Sequence, residues 1–155
     1  MKKFQRRHPF QVNKELVGIE NKYGEIESSL KIESNDVRIL ALWGMGGIGK
    51  TTLAESLYAK HCSQFERHCF LKNVREVSTR CGVDVVRKIL FSTLLELGLD
   101  APYVESPIFI RKLAWERSLI VLDDEATTEQ AENLYIVNDC LGPGSRVIVT
   151  TMQSI

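Results

Sequence analysis

Apolar residues follow two patterns that alternate along this chain: short continuous runs, and longer segments with helical spacing. The runs have the length and composition of strands that are buried on both faces. They lie at Val37–Trp43, His68–Leu71, Leu119–Leu122 and Arg146–Thr151. Strands that alternate with helices predict an α/β domain, in which a parallel sheet is covered by helices on both faces.

Helical spacing and capping residues predict the segments between the strands. An amphipathic helix is expected to end near Ile32, and another starts near Lys50. A third helix is predicted over residues 84–97, with Gly98 ending it. Two more are predicted over 106–116, where Ser106 precedes a proline, and over 127–138, where a capping box begins the segment. Residues 1–14 are polar and basic and are interpreted as a linker.

Composition limits the classes of partner. The chain has 155 residues, of which 44% are hydrophobic and 26% charged, which is ordinary for one soluble globular domain. Twenty basic and twenty acidic residues cancel, so no overall field attracts nucleic acid or an anionic membrane. No run approaches the roughly 18 apolar residues of a membrane span, and the start lacks the apolar segment of a signal peptide. The sequence predicts neither a nucleic-acid partner nor a membrane span.

Two further features of the sequence are its basic start and its four cysteines. The basic start allows two interpretations: a weak patch for nuclear import or polyanion binding, or a solvated tail. Its residues are Lys2, Lys3, Arg6, Arg7 and His8. The four cysteines show no C-x-x-C pairing and no zinc-like spacing. Reduced cysteines are expected, which favours the cytoplasm or the nucleus.

The most specific motif follows the first predicted strand. Gly44-x-x-x-x-Gly49-Lys50-Thr51 matches the phosphate-binding loop pattern at every fixed position. A loop around a phosphate chain points successive backbone N–H groups inward, and Gly44, Gly46, Gly47 and Gly49 permit the dihedral angles that this requires. The helix that follows adds N–H groups and the positive end of its dipole. Lys50 is expected on the β- and γ-phosphates, and the Thr51 hydroxyl on Mg²⁺. The alternative is a glycine-rich turn with a chance lysine.

Two carboxylates supply the second half of this predicted site. The buried run Leu119–Leu122 ends in Asp123 and Asp124, at the carboxyl end of a strand, where parallel sheets place ligands. We assign Asp123 to Mg²⁺ through water, and Asp124 to orienting or deprotonating an attacking water. The alternative is that the pair ends a strand and solvates a turn.

Thr150 and Thr151 end the fourth predicted strand and should face the same edge of the sheet. Sensing of the γ-phosphate by a hydroxyl explains them, and the ordinary β-propensity of threonine explains them equally well.

These motifs, in this order, resemble the NB-ARC nucleotide-binding module of plant disease-resistance receptors. The matching segments are L-V-G-I-E from Leu16, W-G-M-G-G-I-G-K-T-T-L from Trp43, F-L-K-N-V-R-E from Phe70, L-I-V-L-D-D from Leu119 and G-P-G-S-R-V-I-V-T-T from Gly142. The form F-L-x-N-V-R-E is similar to the class of receptors that begin with a Toll/interleukin-receptor domain. The resemblance assigns residues 15–155 to the N-terminal part of the module.

The resemblance implies a three-layer P-loop NTPase fold and a switch that holds ADP at rest and ATP when active. It implies that Toll/interleukin-receptor and leucine-rich-repeat domains and self-oligomerisation belong to the full-length receptor. By position, Gly44–Gly49 with Met45 and Ile48 surround the phosphates, and Thr52 contacts the α-phosphate. Val17, Val37 and Arg38 border the adenine, Thr151 lies near the γ-phosphate, and Mg²⁺ accompanies the nucleotide.

Two kinds of departure from the family pattern matter. Met152 follows the threonine pair where the family usually has an arginine thought to sense the γ-phosphate, and a thioether offers none of its five donors. Glu125 stands where an apolar residue is usual.

The family's strand order implies 2-3-4-1 for the four strands here, numbered along the chain, with a missing fifth strand beside the first. On that basis the phosphate-loop strand should be an exposed edge, and the isolated chain marginally stable or prone to associate.

Three functions follow. The first is an ADP/ATP-binding switch module of an intracellular immune receptor, which is at most a slow ATPase. The second is a degenerate fragment that serves only in protein interaction. The third is a P-loop ATPase or kinase that turns over freely; the cationic lid that a kinase needs has only Arg111, Lys112 and Arg117 as candidates.

Overall fold

The computed structural model describes residues 12–44, 49–96, 111–124 and 141–151. Five strands and four α-helices with complete bounds lie in these ranges. The strands are β1 (Val12–Gly18), β2 (Val37–Trp43), β3 (Arg67–Leu71), β4 (Ser118–Leu122) and β5 (Arg146–Thr151). The helices are α1 (Tyr23–Ser28), α2 (Lys50–His61), α3 (Val74–Cys81) and α4 (Val83–Leu94), with a short 3₁₀ helix at Cys62–Gln64.

All five strands are parallel and form one sheet in the order β1-β2-β5-β4-β3. The four strands predicted from the apolar runs therefore have the predicted neighbours. The predicted exposed edge at β2 is wrong, because β1 pairs with β2 along its whole length, from Val12↔Val37 to Gly18↔Trp43. Residues 12–14, placed in the linker by their polarity, belong to this strand.

Helices cover both faces of the sheet, as predicted, because side chains alternate along each buried strand. Leu40 and Leu42 of β2 belong to a core shared with α1 and α2, which contribute Ile26 and Leu57 among others. Ile39 of β2 lies on the opposite face, in a second core that includes α3 and α4. β4 and β5 contribute alternate residues to the two cores: Ile120, Leu122, Val147 and Val149 to the second, and Leu119, Val121 and Ile148 to the first. The fold is thus a three-layer α/β sandwich whose sheet is buried in the middle.

The predicted helices differ in extent from those observed. α1 ends at Ser28, earlier than the predicted Ile32, and α4 ends at Leu94, before Gly98. Helix α3 was not predicted, since its sequence reads as a charged stretch after β3. Residues 111–113 are helical, within the helix predicted over 106–116; the rest of that helix and the helix predicted over 127–138 lie outside the described residues.

A buried arginine lies at the edge of the sheet that is formed by the amino ends of the strands. Arg146, the first residue of β5, is 0% exposed and donates hydrogen bonds to the carbonyl oxygens of Leu30 (2.5 Å), Lys31 (2.5 Å) and Ser34 (3.1 Å). It also donates to the Asp36 carbonyl at 2.7 Å and to the Asp36 carboxylate at 3.4 Å. Burial lowers the pKa of Arg146 to about 10, so the group stays charged at neutral pH. One side chain thereby ties the loop between α1 and β2 to the centre of the sheet.

Asp36 makes this edge sensitive to acid. Burial raises the pKa of Asp36, but hydrogen bonds from Ser34 and Asn13 and the charges of Arg38 and Arg146 outweigh burial, and the net pKa is lowered. A carboxyl with a lowered folded-state pKa contributes stability that is complete above its unfolded pKa, about 3.9, and is lost as the pH falls through the folded value.

We therefore expect the gap in free energy of unfolding between wild type and Asp36→Asn to narrow as the pH falls from about 5 to about 2.5. Urea denaturation followed by circular dichroism measures the gap. A gap that stays constant over this range would show that ionised Asp36 contributes nothing to stability.

Candidate functional site

The carboxyl ends of β4 and β5 and the start of α2 meet at Asp123. The Thr51 hydroxyl lies 3.0 and 3.1 Å from the two oxygens of the Asp123 carboxylate, and the Thr150 hydroxyl donates to one of them at 2.7 Å. Asp123 is only 5% exposed. Residues that are far apart in the sequence thus converge on one buried carboxylate, as the motifs predict.

The strand register explains how Asp123 reaches this position. All five residues of β4 are buried, and its last pair with β5 is Leu122↔Val149, so the next residue on each strand is Asp123 and Thr150. The Asp123 N–H donates to the Leu71 carbonyl of β3 at 2.8 Å, which fixes the strand end on its other side. Buried apolar side chains therefore hold a polar group at the edge of the sheet.

Glycine and lysine define the start of α2. Gly49 has φ +93°, a left-handed conformation that glycine adopts without strain, and a Cβ there would meet no atom within 4 Å. Its backbone conformation, and not a lack of space, accounts for glycine at this position. The Lys50 ammonium donates to the Gly44 carbonyl at 2.8 Å, so it lies across the two ends of the predicted phosphate-binding loop. Met45, Gly46, Gly47 and Ile48 lie outside the described residues.

The oxygen groups at this edge suit Mg²⁺. This cation prefers oxygen ligands and usually keeps one or two protein ligands together with waters and substrate phosphates. The Thr51 hydroxyl and the Asp123 carboxylate are such a pair, already in contact. Within the described ranges, no three histidine, cysteine, aspartate or glutamate side chains are grouped as a metal cluster. Thr51 and Asp123 are therefore the residues that would hold the ion beside the phosphates.

The other predicted residues lie at two places: some at the edge formed by the carboxyl ends of the strands, and some at the opposite edge, formed by the amino ends. Thr52 is in the first turn of α2, and Val17 pairs with Leu42 near the end of β2. Thr151 pairs with Trp43, and its carbonyl accepts from the Gly44 N–H at 3.3 Å. All three lie at the carboxyl edge.

Val37 and Arg38 lie at the opposite edge of the sheet. They begin β2, whose length of six residue steps separates Val37 from the loop end by about 20 Å. Val37 is packed in the core, and Arg38 forms an ion pair with Asp36 at 3.1 Å. The structure does not bring these two residues to the loop, because a strand carries its two ends to opposite edges.

Asp124 has a partner that the motifs do not reveal. It has φ +64°, its N–H donates to the Thr150 hydroxyl at 2.7 Å, and its carboxylate forms an ion pair with Arg75 at 3.3 Å. Arg75 belongs to the N-V-R-E segment that follows β3. Arg75 and Asp124 are far apart in the sequence, and they meet because β3 pairs with β4. No local sequence motif therefore predicts this contact.

The chain is similar to plant disease resistance proteins along most of its length. Disease resistance-like protein DSC1 of Arabidopsis thaliana is 42% identical over 148 residues, which cover 92% of this chain and 12% of that protein. Disease resistance protein RUN1 of Vitis rotundifolia is 37% identical over 141 residues, covering 88% and 10%. TMV resistance protein N of Nicotiana glutinosa is 36% identical over 145 residues, covering 88% and 12%. The chain thus spans about a tenth of the length of these relatives.

No helix among the described residues has the length and apolar character needed to cross a membrane.

The family comparison places residues 19–154 in the NB-ARC domain. That range contains Lys50, Thr51, Asp123 and Thr150, whose contacts form the candidate site. The chain therefore belongs to the NB-ARC family of nucleotide-binding domains.

Proposed function

We propose that this chain is the ADP- or ATP-binding switch module of a plant intracellular immune receptor that acts in defence signalling. The observation that carries the proposal is the contact of Asp123 with Thr51 and Thr150 beside Lys50. The similarity to disease resistance proteins supports the receptor context. In a full-length receptor, the partners would be Toll/interleukin-receptor and leucine-rich-repeat domains and further copies of the receptor, in the cytoplasm or the nucleus.

Each residue of the site has a role that its chemistry supports. The backbone of Gly44–Gly49 surrounds the phosphates, and Lys50 supplies a positive charge that moves from the Gly44 carbonyl to a phosphate oxygen. Thr51 and Asp123 hold Mg²⁺, which neutralises phosphate charge when it is bound. Thr52 contacts the α-phosphate, and Val17 borders the adenine. Asp124 orients the attacking water, and Thr151 lies near the γ-phosphate.

Dependence of ADP binding on Mg²⁺ tests this proposal. We expect isothermal titration calorimetry to show ADP binding that weakens when EDTA removes Mg²⁺. Asp123→Asn keeps the shape of the side chain but removes the charge that holds the ion, so it should weaken binding in Mg²⁺ by about tenfold or more.

Asp84→Asn is the matched control, because Asp84 is 88% exposed at the start of α4, on the other face of the sheet. It should bind ADP as wild type does. Equal binding by wild type and Asp123→Asn in Mg²⁺ would refute the metal site, and no ADP binding by wild type would refute the proposed function. Phosphate release separates a switch from an enzyme that turns over freely, for which about 10 per second is typical.

A further inference from the structure

The Arg75–Asp124 ion pair lies at the edge of the proposed nucleotide site and has no role in the function described above. The two groups are 3.3 Å apart, and their side chains are 51% and 35% exposed. Arg75 is in the first turn of α3, and Asp124 is the second residue after β4. The contact therefore links α3 to the residue assigned to the attacking water.

The sheet order shows which way this contact turns the carboxylate. β4 lies between β5 and β3, and β2, which leads into the phosphate-binding loop, lies beyond β5. The Asp124 backbone N–H is held on the β5 side by Thr150, whereas its carboxylate is held by Arg75, which follows β3. The carboxylate is thus drawn to the side of β4 that is remote from the loop.

The backbone beneath the ion pair is fixed independently of it. The Val74 N–H donates to the Asp123 carbonyl at 3.1 Å, and the Arg75 N–H donates to the Asp124 carbonyl at 2.9 Å. Asn73 and Asp124 both have left-handed φ values, +56° and +64°, which asparagine and aspartate tolerate better than most residues and which surrounding contacts must maintain. Because these bonds use main-chain atoms, the side-chain contact can open while the backbone stays in place.

We propose that Arg75 is a positioning residue that holds the Asp124 carboxylate on the β3 side, away from the nucleotide, so that hydrolysis is slow until this ion pair opens. The inference rests on the proposed function, since it concerns the same site. In the hydrolysis step, the water oxygen bonds to the γ-phosphorus as the bond from that phosphorus to the β–γ bridging oxygen breaks. The water proton passes to Asp124, and ADP and inorganic phosphate are released.

The exposure of the pair sets the size of the effect. Half-exposed ion pairs are weak and are screened by salt, so opening this one should raise the hydrolysis rate by about fivefold at most. A contact of this strength is reversible, as a switch requires. Its opening would also be favoured by any partner that offers Arg75 another acidic group.

The first test uses the ligand-free protein. The side-chain carboxyl ¹³C resonance of Asp124 should shift in Arg75→Gln, and in wild type it should move toward the variant's position as NaCl rises from about 0.05 M to about 0.5 M. Arg80→Gln is the matched control, because Arg80 is on the same helix and forms a 3.3 Å ion pair with Glu76. The control should leave the resonance unchanged. An Asp124 resonance that is insensitive to both Arg75→Gln and salt would overturn the proposal.

The second test measures single-turnover hydrolysis of ATP and equilibrium binding of ADP. We expect Arg75→Gln to hydrolyse ATP faster at low salt, with unchanged ADP affinity, and wild type to approach its rate at high salt. Arg75→Lys, which keeps the charge, should stay closer to wild type. Normal ADP binding with a rate in Arg75→Gln that is equal to or below that of wild type would overturn the inference alone. Loss of ADP binding by wild type would instead refute the proposed function.

Discussion

Lys50→Ala is expected to weaken ADP binding by at least about 2 kcal/mol, roughly thirtyfold in Kd. The ammonium is held at the mouth of the loop by the Gly44 carbonyl, 2.8 Å away, and no other described lysine is placed across the loop in this way. In the bound state its charge would face the phosphates in a partly dehydrated site, where removal of one partner leaves the other charge without compensation. Calorimetric titration with Mg²⁺ and ADP measures the change.

Lys60→Ala provides the matched control. Lys60 is near the other end of α2, where it forms an ion pair with Glu27. The Lys60 side chain is 57% exposed, so removal of this ion pair should change the free energy of unfolding little. The control removes the same charge from the same helix at a distance of about 15 Å. Equal ADP affinity in Lys50→Ala and Lys60→Ala would show that Lys50 does not contact the nucleotide.

Arg146→Met should lower the free energy of unfolding by about 3–5 kcal/mol, since breaking a buried charged network typically costs this much. The substitution removes the hydrogen bonds from the guanidinium to the carbonyl oxygens of Leu30, Lys31, Ser34 and Asp36, beside a side chain that is fully buried. Of these acceptors, the Lys31 carbonyl keeps a second donor, the Ser34 N–H. For a domain of this size, the corresponding fall in Tm is roughly 6–20 °C. Thermal unfolding followed by circular dichroism measures it.

Two comparisons separate the hydrogen bonds from the charge. Arg146→Lys keeps the charge but loses the planar fork, so its stability should lie between those of wild type and Arg146→Met. Arg80→Met removes an arginine that is 73% exposed and should have little effect. If Arg146→Met and Arg80→Met have the same Tm, the stability of the loop between α1 and β2 does not depend on Arg146.

β2, β4 and β5 could be predicted because each is a largely buried apolar run with a clear boundary. β3 could be predicted from its short apolar run, although it lies at the edge of the sheet and only Cys69 in it is buried. β1 was missed because Lys14, Glu15 and Leu16 are exposed, as is typical of an edge strand, and leave little alternation to detect. Its pairing with β2 depends on contacts between distant segments. The error about the exposed edge follows from that omission.

The candidate site was predictable where a motif supplies the chemistry. Thr51 and Asp123 were expected to meet, and they do. Arg75 was not expected, because its contact with Asp124 arises from the register Leu71↔Leu122 between two strands, which no local pattern encodes. Burial of Arg146 was equally hidden, because an arginine at the start of a strand usually faces solvent, and here a loop closes over it.

The most direct test of the account is the location of nucleotide binding on the molecule. Titration of ¹⁵N-labelled protein with ADP and Mg²⁺, followed by amide chemical shifts, reports at once on every residue that has a backbone N–H, which excludes the four prolines. We expect the largest changes at Gly44 and Gly49–Leu53 and at Asp123, Asp124 and Thr150, with little change at the opposite edge around Asp36–Arg38. Largest changes at that opposite edge, or no changes at saturating ADP, would contradict a nucleotide site built around Lys50 and Asp123.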